Sequence, residues 1–170
     1  MVKKHKLCAI ACVDNNNAIG FNNKLLIHSK RDLKNFKDRT IGSVVVMGGD
    51  TFRSLPNGIP LANRTNIVLS SKLESSHSNM IVCKSMDALH ELIDSYLKTT
   101  DVFVMGGESL YNEFQDDFEE LCLTYALTEF PNADRYFPLI AKKYNTHILY
   151  DYWIEDIDDK KIEMTVINIW

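Results

Sequence analysis

Two segments of the 170-residue chain repeat one pattern. In Val44-Val45-Val46-Met47-Gly48-Gly49-Asp50-Thr51 and in Val102-Phe103-Val104-Met105-Gly106-Gly107-Glu108-Ser109, a short apolar run ends in a Gly-Gly pair, an acid and a hydroxyl residue. A continuous apolar run bounded by glycines predicts a strand buried on both faces, as in a parallel sheet. Glycine there permits a tight turn and lets a ligand approach the main chain where a Cβ would collide. The first amides of a following helix have no intrahelical partner and favour negative charge. Two such strand ends, if adjacent in the sheet, would cradle a dinucleotide pyrophosphate. The plainer reading is a pair of tight strand-to-helix turns; the repetition favours the ligand site.

The second candidate is an acid. Asp32 lies in Ser29-Lys30-Arg31-Asp32-Leu33-Lys34-Asn35-Phe36-Lys37. At helical spacing Asp32, Leu33 and Phe36 share one side, and Lys30, Arg31, Lys34 and Lys37 occupy the rest. Two readings stay open. In one, Ser29-x-x-Asp32 is a capping box whose carboxylate turns back to the helix start. In the other, the carboxylate is partly desolvated in an apolar cleft. Its pKa then rises, and it suits a planar ligand edge offering two N–H donors.

Strands alternating with helices must position these groups. Strands are expected over residues 7–13, 44–47, 66–69, 80–83, 102–105 and 121–128. Helices are expected over 29–39, 85–97 and 110–114, with a helical turn at 51–55. Residues 14–28 and 56–63 read as loops. Residues 147–154 and 162–169 flank the polar turn 155–161 as an antiparallel hairpin. The expected fold is a single α/β domain, residues 1–170. Its central sheet is mostly parallel, closed by an antiparallel C-terminal hairpin, with helices on both faces.

Composition sets the outer bounds. An apolar fraction of 45% and a charged fraction of 25% fit one globular domain, and a net charge of −4 argues against a nucleic-acid surface. Lys3, Lys4, His5 and Lys6 precede the apolar run 7–13. Asp14-Asn15-Asn16-Asn17 follows it where a signal peptide would carry small residues, so a first strand is expected. No stretch approaches the length of a membrane span. Cys8, Cys12, Cys83 and Cys122 lie in apolar segments without metal-like spacing and read as core thiols. A cytoplasmic protein with no metal site is the expectation.

Taken in order, these segments resemble the dihydrofolate reductase family. The resemblance begins with Ala18-Ile19-Gly20, Asn23 and Leu25, then Asp32-Leu33-x-x-Phe36-Lys37 and Val46-Met47-Gly48-x-x-Thr51-Phe52-x-Ser54-Leu55. It continues through Pro60-Leu61-x-x-Arg64-x-Asn66-Ile67-Val68-Leu69-Ser70, Val104-Met105-Gly106-Gly107-x-x-x-Tyr111, Leu123-Thr124 and Ala133-Asp134-x-x-Phe137-Pro138. It covers essentially the whole chain.

The resemblance implies a reaction and a set of roles. NADPH would deliver hydride to C6 of 7,8-dihydrofolate while N5 gains a proton, giving tetrahydrofolate for one-carbon and thymidylate chemistry. Asp32 would hold the pterin 2-amino and N3 edge, and Thr124 would hydrogen-bond that carboxylate. Carbonyls of Ile10 and Met105 would accept from an antifolate 4-amino group. Leu25, Leu33, Phe36 and Leu55 would pack on the substrate rings, and Arg64 would pair with the glutamate tail. Ala11, Ile19 and Gly20 would line the nicotinamide. Gly48, Gly49, Asp50, Thr51, Gly106 and Gly107, with Glu108, Ser109 and Tyr111 following, would receive the pyrophosphate. Ser70, Ser71 and Lys72 would lie near the adenosine ribose. A monomer acting on a small molecule, away from nucleic acid and membrane, is implied.

Three positions depart from the family pattern. Leu25-Leu26-Ile27 stands where Leu-Pro-Trp is usual, removing an indole N–H near the acid. Gly49 replaces a usual Arg or Lys, and Asp50 adds a negative charge beside it. This predicts a weaker preference for NADPH over NADH, one that Gly49→Arg would widen. Asn63 replaces a glycine before Arg64. Two other functions fit parts of the pattern: a riboflavin-pathway pyrimidine reductase of the same fold, and a folate- or nucleotide-binding module without catalysis. The first would need basic groups for a substrate phosphate where Asp32, Leu33 and Phe36 offer an acid and apolar surface.

Overall fold

The run Val44 to Met47 has no polar face, and all four side chains are buried, so it can only be a strand covered on both sides. The computed structural model describes residues 4–140 and 151–169. The strands are β1 (Leu7–Val13), β2 (Ala18–Phe21), β3 (Lys24–Leu25), β4 (Val44–Gly48), β5 (Thr65–Leu69), β6 (Met80–Cys83), β7 (Val102–Val104), β8 (Glu120–Ala126), β9 (Arg135–Tyr136), β10 (Asp151–Ile157) and β11 (Lys160–Ile169). The helices are α1 (Lys30–Thr40), α2 (Gly49–Ser54), α3 (Met86–Tyr96) and α4 (Glu108–Glu113).

An eight-stranded sheet has the order β10-β11-β8-β1-β7-β4-β5-β6. The pairings from β8 through β6 are parallel, and β11 and β10 close one edge antiparallel. Alternate strand residues face opposite layers. On one face Ala9, Val46, Ile67 and Val104 pack with Leu89 and Ile93 of α3, Leu110 of α4 and Phe114 just after it. On the other, Cys8, Ile10, Met47 and Cys122 pack with Phe52 of α2, and Phe36 of α1 lies against them. Helices thus cover both faces, as expected.

Three local expectations change. Residues 14–28 are not an unstructured loop: β2 and β3 form a hairpin, and β9 joins them in a second, three-stranded sheet. The hairpin turns at Asn22 and Asn23, whose φ of 49° and 58° are positive, a backbone that asparagine tolerates better than most residues. Asp14 anchors the segment. Its buried carboxylate accepts the N–H groups of Asn16 and Ala18 at 2.8 Å and of Phe130 at 2.9 Å.

The C-terminal turn is also tighter than the polar run 155–161 implies. The β10–β11 ladder continues to Ile157 and Lys160, leaving Asp158 and Asp159 at φ of 49° and 63°. The inward alternation Trp153, Ile157, Ile162, Met164, Val166 holds the strands together through the polar residues between. Residues 147–150 of the expected hairpin lie outside the described residues. Lastly, the strand expected to reach residue 128 ends at Ala126, and the helix expected at 110–114 starts earlier, at Glu108.

Candidate active site

Asp32 owes its position to α1 and to β8. Ser29 Oγ caps the helix by accepting the Asp32 N–H at 3.0 Å. The Asp32 carboxylate does not complete a capping box. It turns into the sheet face and accepts a hydrogen bond from Thr124 Oγ1 at 2.5 Å. Thr124 is buried on β8 and pairs in register with Cys12 of β1. Burial is the largest influence on the carboxyl and raises its pKa; the Thr124 bond opposes this, and the nearby Glu155 charge adds to it. Among the described residues Asp32 has no cationic partner.

Of the apolar residues expected to pack on a flat ligand, Leu25 and Leu33 are 53% and 47% exposed, while Phe36 and Leu55 are half-buried. At the far end of α1, roughly 12 Å away by helical rise from Asp32 to Thr40, stands Arg64. Its Nη1 donates to Thr40 Oγ1 and its Nε to the Ala62 carbonyl, both at 3.1 Å, and its guanidinium lies 5.8 Å from the Phe36 ring centroid. No carboxylate of the described residues pairs with it. Burial lowers its pKa from the ordinary guanidinium value, but a guanidinium stays charged at neutral pH.

The two Gly-Gly turns meet. β4 and β7 are parallel neighbours, and Gly48 N donates to Gly106 O at 2.9 Å. Gly106 has a φ of +126°, and a Cβ on it would lie 3.5 Å from Thr51 Oγ1 and 3.6 Å from the Tyr111 hydroxyl. The Gly106–Gly107 peptide is cis. Tyr111 is buried and donates to the Ile10 carbonyl at 2.8 Å, so it touches β1 as well as the glycines. Met105 is half-buried, as are Ala11 and Ile19, and Gly20 accepts the Asp134 N–H at 3.0 Å. Glu108 Oε1 accepts the Tyr136 N–H at 3.2 Å, tying α4 to the small sheet, whereas Ser109 is exposed.

A groove beside the first turn corrects the expected charge balance. Gly49, Ser70, Ser71 and Lys72 line it with Arg53 and Lys84. Asp50 is not an uncompensated charge: Arg53, one helical turn on, is paired with it. A Cβ at Gly49 would sit 3.1 Å from Ser70 Oγ and 3.3 Å from Ser70 Cβ. Gly49→Arg would therefore press on the serine that lines the same groove, and the variant is a poor way to widen a cofactor preference. Lys84 comes to the groove because β5 and β6 run parallel, with Leu69 opposite Cys83. Arg53 and Lys84 were not singled out in the sequence, although parallel pairing of those strands implies the second.

Two further side chains escaped notice. Glu155 and Trp153 of β10 reach the start of α1, where Glu155 accepts from Ser29 Oγ. The signal was an acid at an inward position, in the alternation Trp153-x-Glu155-x-Ile157. Ile27, in place of the family tryptophan, is buried with Trp153, Ala126 and Met164.

The family model described as dihydrofolate reductase matches residues 6–168. A dihydrofolate reductase of Staphylococcus aureus is 33% identical over 132 residues, which is 78% of this chain and 77% of that protein. One from Bacillus subtilis is 36% identical over 129 residues, 76% of this chain and 73% of that protein. A solved dihydrofolate reductase from Enterococcus faecalis, complexed with NADP(H) and RAB-propyl, aligns with a TM-score of 0.76 at 26% identity. It covers 98% of this chain and 96% of its own.

The raised Asp32 carboxyl has a consequence for stability. The folded protein holds this proton to higher pH than the unfolded chain, whose carboxyl titrates near 3.8. The favourable contribution of the protonated group is full below that value and is lost as pH rises through the folded one. Asp32→Asn keeps an acceptor for Thr124 and removes the charge. Thermal melts should show a higher Tm than wild type at neutral pH, with the difference vanishing near about pH 4. A lower Tm at neutral pH would show that the carboxylate itself stabilises the helix.

Proposed function

The chain belongs to the dihydrofolate reductase family and catalyses NADPH-dependent reduction of 7,8-dihydrofolate to 5,6,7,8-tetrahydrofolate, and we propose that Asp32 is the acid on which that reduction turns. The observation that carries this reading is a partly desolvated carboxylate, unpaired with any described cation, on a helix that also carries the exposed Leu33. Such a group gains more from a ligand's N–H donors than a solvated one does. Asp32 would grip the 2-amino and N3 edge of the pterin, with Thr124 fixing its rotamer. Leu25, Leu33, Phe36 and Leu55 would cover the rings and exclude water. Arg64, at the other end of α1, would take the α-carboxylate of the glutamate tail, where a planar fork matters. The proton gained at N5 would come through water, since the acid lies on the far side of the pterin ring.

The cofactor side fits the residues present. NADPH supplies the hydride when bound. Gly48, Gly49, Thr51, Gly106 and Gly107 would leave room for the pyrophosphate at the joined strand ends, and the α2 amides would face its charge. Ala11, Ile19 and Gly20 would border the nicotinamide. Arg53 and Lys72, with the Ser70 and Ser71 hydroxyls, would meet the adenosine 2′-phosphate in place of the family's cation at position 49. Both sides are built from one chain, which supports a monomer. Cys8, Cys12, Cys83 and Cys122 are free thiols, as a reducing cytoplasm favours. No helix among the described residues is long and apolar enough to cross a membrane.

Three outcomes test these roles. Asp32→Asn should depress hydride transfer at neutral pH by about two orders of magnitude or more, the loss narrowing at acidic pH where substrate is protonated in solution. Full activity at neutral pH would remove Asp32 from the chemistry. Arg64→Leu should raise KM for dihydrofolate roughly tenfold to a hundredfold, the equivalent of about 1.5–3 kcal/mol for a charge-assisted contact. A tail-less dihydropterin should be unaffected; equal losses on both substrates would make Arg64 structural. Arg53→Ala should lower kcat/KM for NADPH by about tenfold or more and leave NADH within about twofold. An unchanged ratio would place the 2′-phosphate elsewhere.

A further inference from the structure

Glu155 is an acid on the inward side of β10, in step with the buried Trp153 and Ile157. Its Oε1 accepts the Lys30 N–H at 2.8 Å. Its Oε2 accepts from Ser29 Oγ and from Trp153 Nε1, the latter at 3.1 Å. Ser29 Oγ in turn accepts the Asp32 N–H at 3.0 Å. A carboxylate from the C-terminal hairpin therefore completes the N-cap of α1. It satisfies a first-turn amide that Ser29 does not, and it orients the hydroxyl that caps Asp32. Arg31 adds to the clamp, lying 4.9 Å over the Trp153 ring and pairing with Asp151 at 2.6 Å.

We propose that Glu155 is a positioning residue for the reduction: through Ser29 and Lys30 it seats the first turn of α1, fixing where the Asp32 carboxylate meets the substrate, and it keeps a second negative charge beside that carboxylate. The inference rests on Asp32 being the substrate's acid.

The groups acting on Asp32 leave that second charge to Glu155. Cys12 on β1 and Tyr111 on α4 interact with it, and burial pushes the thiol and the phenol up, so both stay neutral near pH 7. Thr124 on β8 contributes a neutral hydroxyl. The basic groups of the same turn are Lys30, which is drawn to Glu155, and Arg31, which is paired with Asp151. Burial alone would raise the Glu155 carboxyl, but bonds from Ser29, Lys30 and Trp153 outweigh it and hold the carboxyl below the ordinary range. Glu155 is thus ionised wherever the enzyme works, and its charge favours the protonated form of Asp32.

The test compares Glu155→Gln, which keeps size and an acceptor but loses the charge, with Glu155→Ala, which loses both. The readouts are kcat/KM for dihydrofolate across about pH 5–9, Kd for NADPH, and Tm. In both variants the Asp32-dependent limb of the kcat/KM profile should move to lower pH, because Asp32 gives up its proton more readily once the neighbouring charge is gone. Glu155→Ala should also raise KM for dihydrofolate, while NADPH binding stays within twofold. A lowered Tm with an unmoved pH limb in both variants would make Glu155 merely structural and overturn the inference. Asp32→Asn, measured alongside, separates the two levels. If it keeps the wild-type limb, the Asp32 reading fails and this inference with it. If it abolishes the limb while the Glu155 variants leave it in place, the inference alone fails.

Discussion

The hydrogen bond from Thr124 to Asp32 joins the two parts of the molecule on which the proposed substrate recognition rests. One is a helix whose apolar side offers leucines and a phenylalanine to a flat ligand; the other is the rigid centre of a parallel sheet. Without that bond the carboxylate would be a solvated first-turn acid of an ordinary helix. With it, the acid is turned inward, stripped of much of its water and held against β8, which β1 and β11 flank. Charge without hydration is unstable alone and therefore strongly receptive to donors. The receptive group sits near the proposed cofactor cradle because β1, which lies next to β8, is also next to β7, whose Gly-Gly turn would form half of that cradle.

Parallel pairing explains the rest of the arrangement. In such a sheet every strand reaches the same edge with its C-terminal end, so β4, β5, β6 and β7 deliver Gly48, Ser70, Lys84 and Gly106 to one rim. Close approach of backbone at Gly48 and Gly106 leaves space where side chains would stand, and the cations of the neighbouring groove lie a strand or two away. Loss of a basic residue at position 49 is accompanied by Arg53, one turn further along α2, whose guanidinium lies 3.5 Å from where a Gly49 Cβ would be.

The sheet, the major helices and the two glycine turns were legible in the sequence because each is a local pattern: an uninterrupted apolar run, a 3.6-residue stripe, a cap. Asp32 was legible as a candidate, but its two readings could not be separated locally. What decides between them is a hydroxyl ninety-two residues away in the chain. Glu155 showed only as an acid in an inward-facing alternation, because its α1-side partners Ser29 and Lys30 lie more than a hundred residues upstream. The β2–β3 hairpin was missed because Asn22-Asn23 lacks the glycine that usually marks such a turn, although asparagine tolerates the same backbone. Arg53 went unnoticed because a lone arginine on a short helix carries no pattern of its own.

Ile27 stands where the family usually has tryptophan, and the indole N–H of Trp153 is committed to Glu155. The acid's environment in this chain is thus set by a hydroxyl, a helix start and a neighbouring carboxylate. The protonation state of Asp32 is the quantity that reports on all three. Carbon-13 NMR of the aspartate carboxyls in the ligand-free enzyme, with Asp32→Asn supplying the assignment, measures it directly. The expected titration midpoint for Asp32 lies above the 3.8 of an unperturbed aspartate. A midpoint at or below that value would mean that the carboxylate is solvated or paired, and would contradict a desolvated acid as the centre of the site.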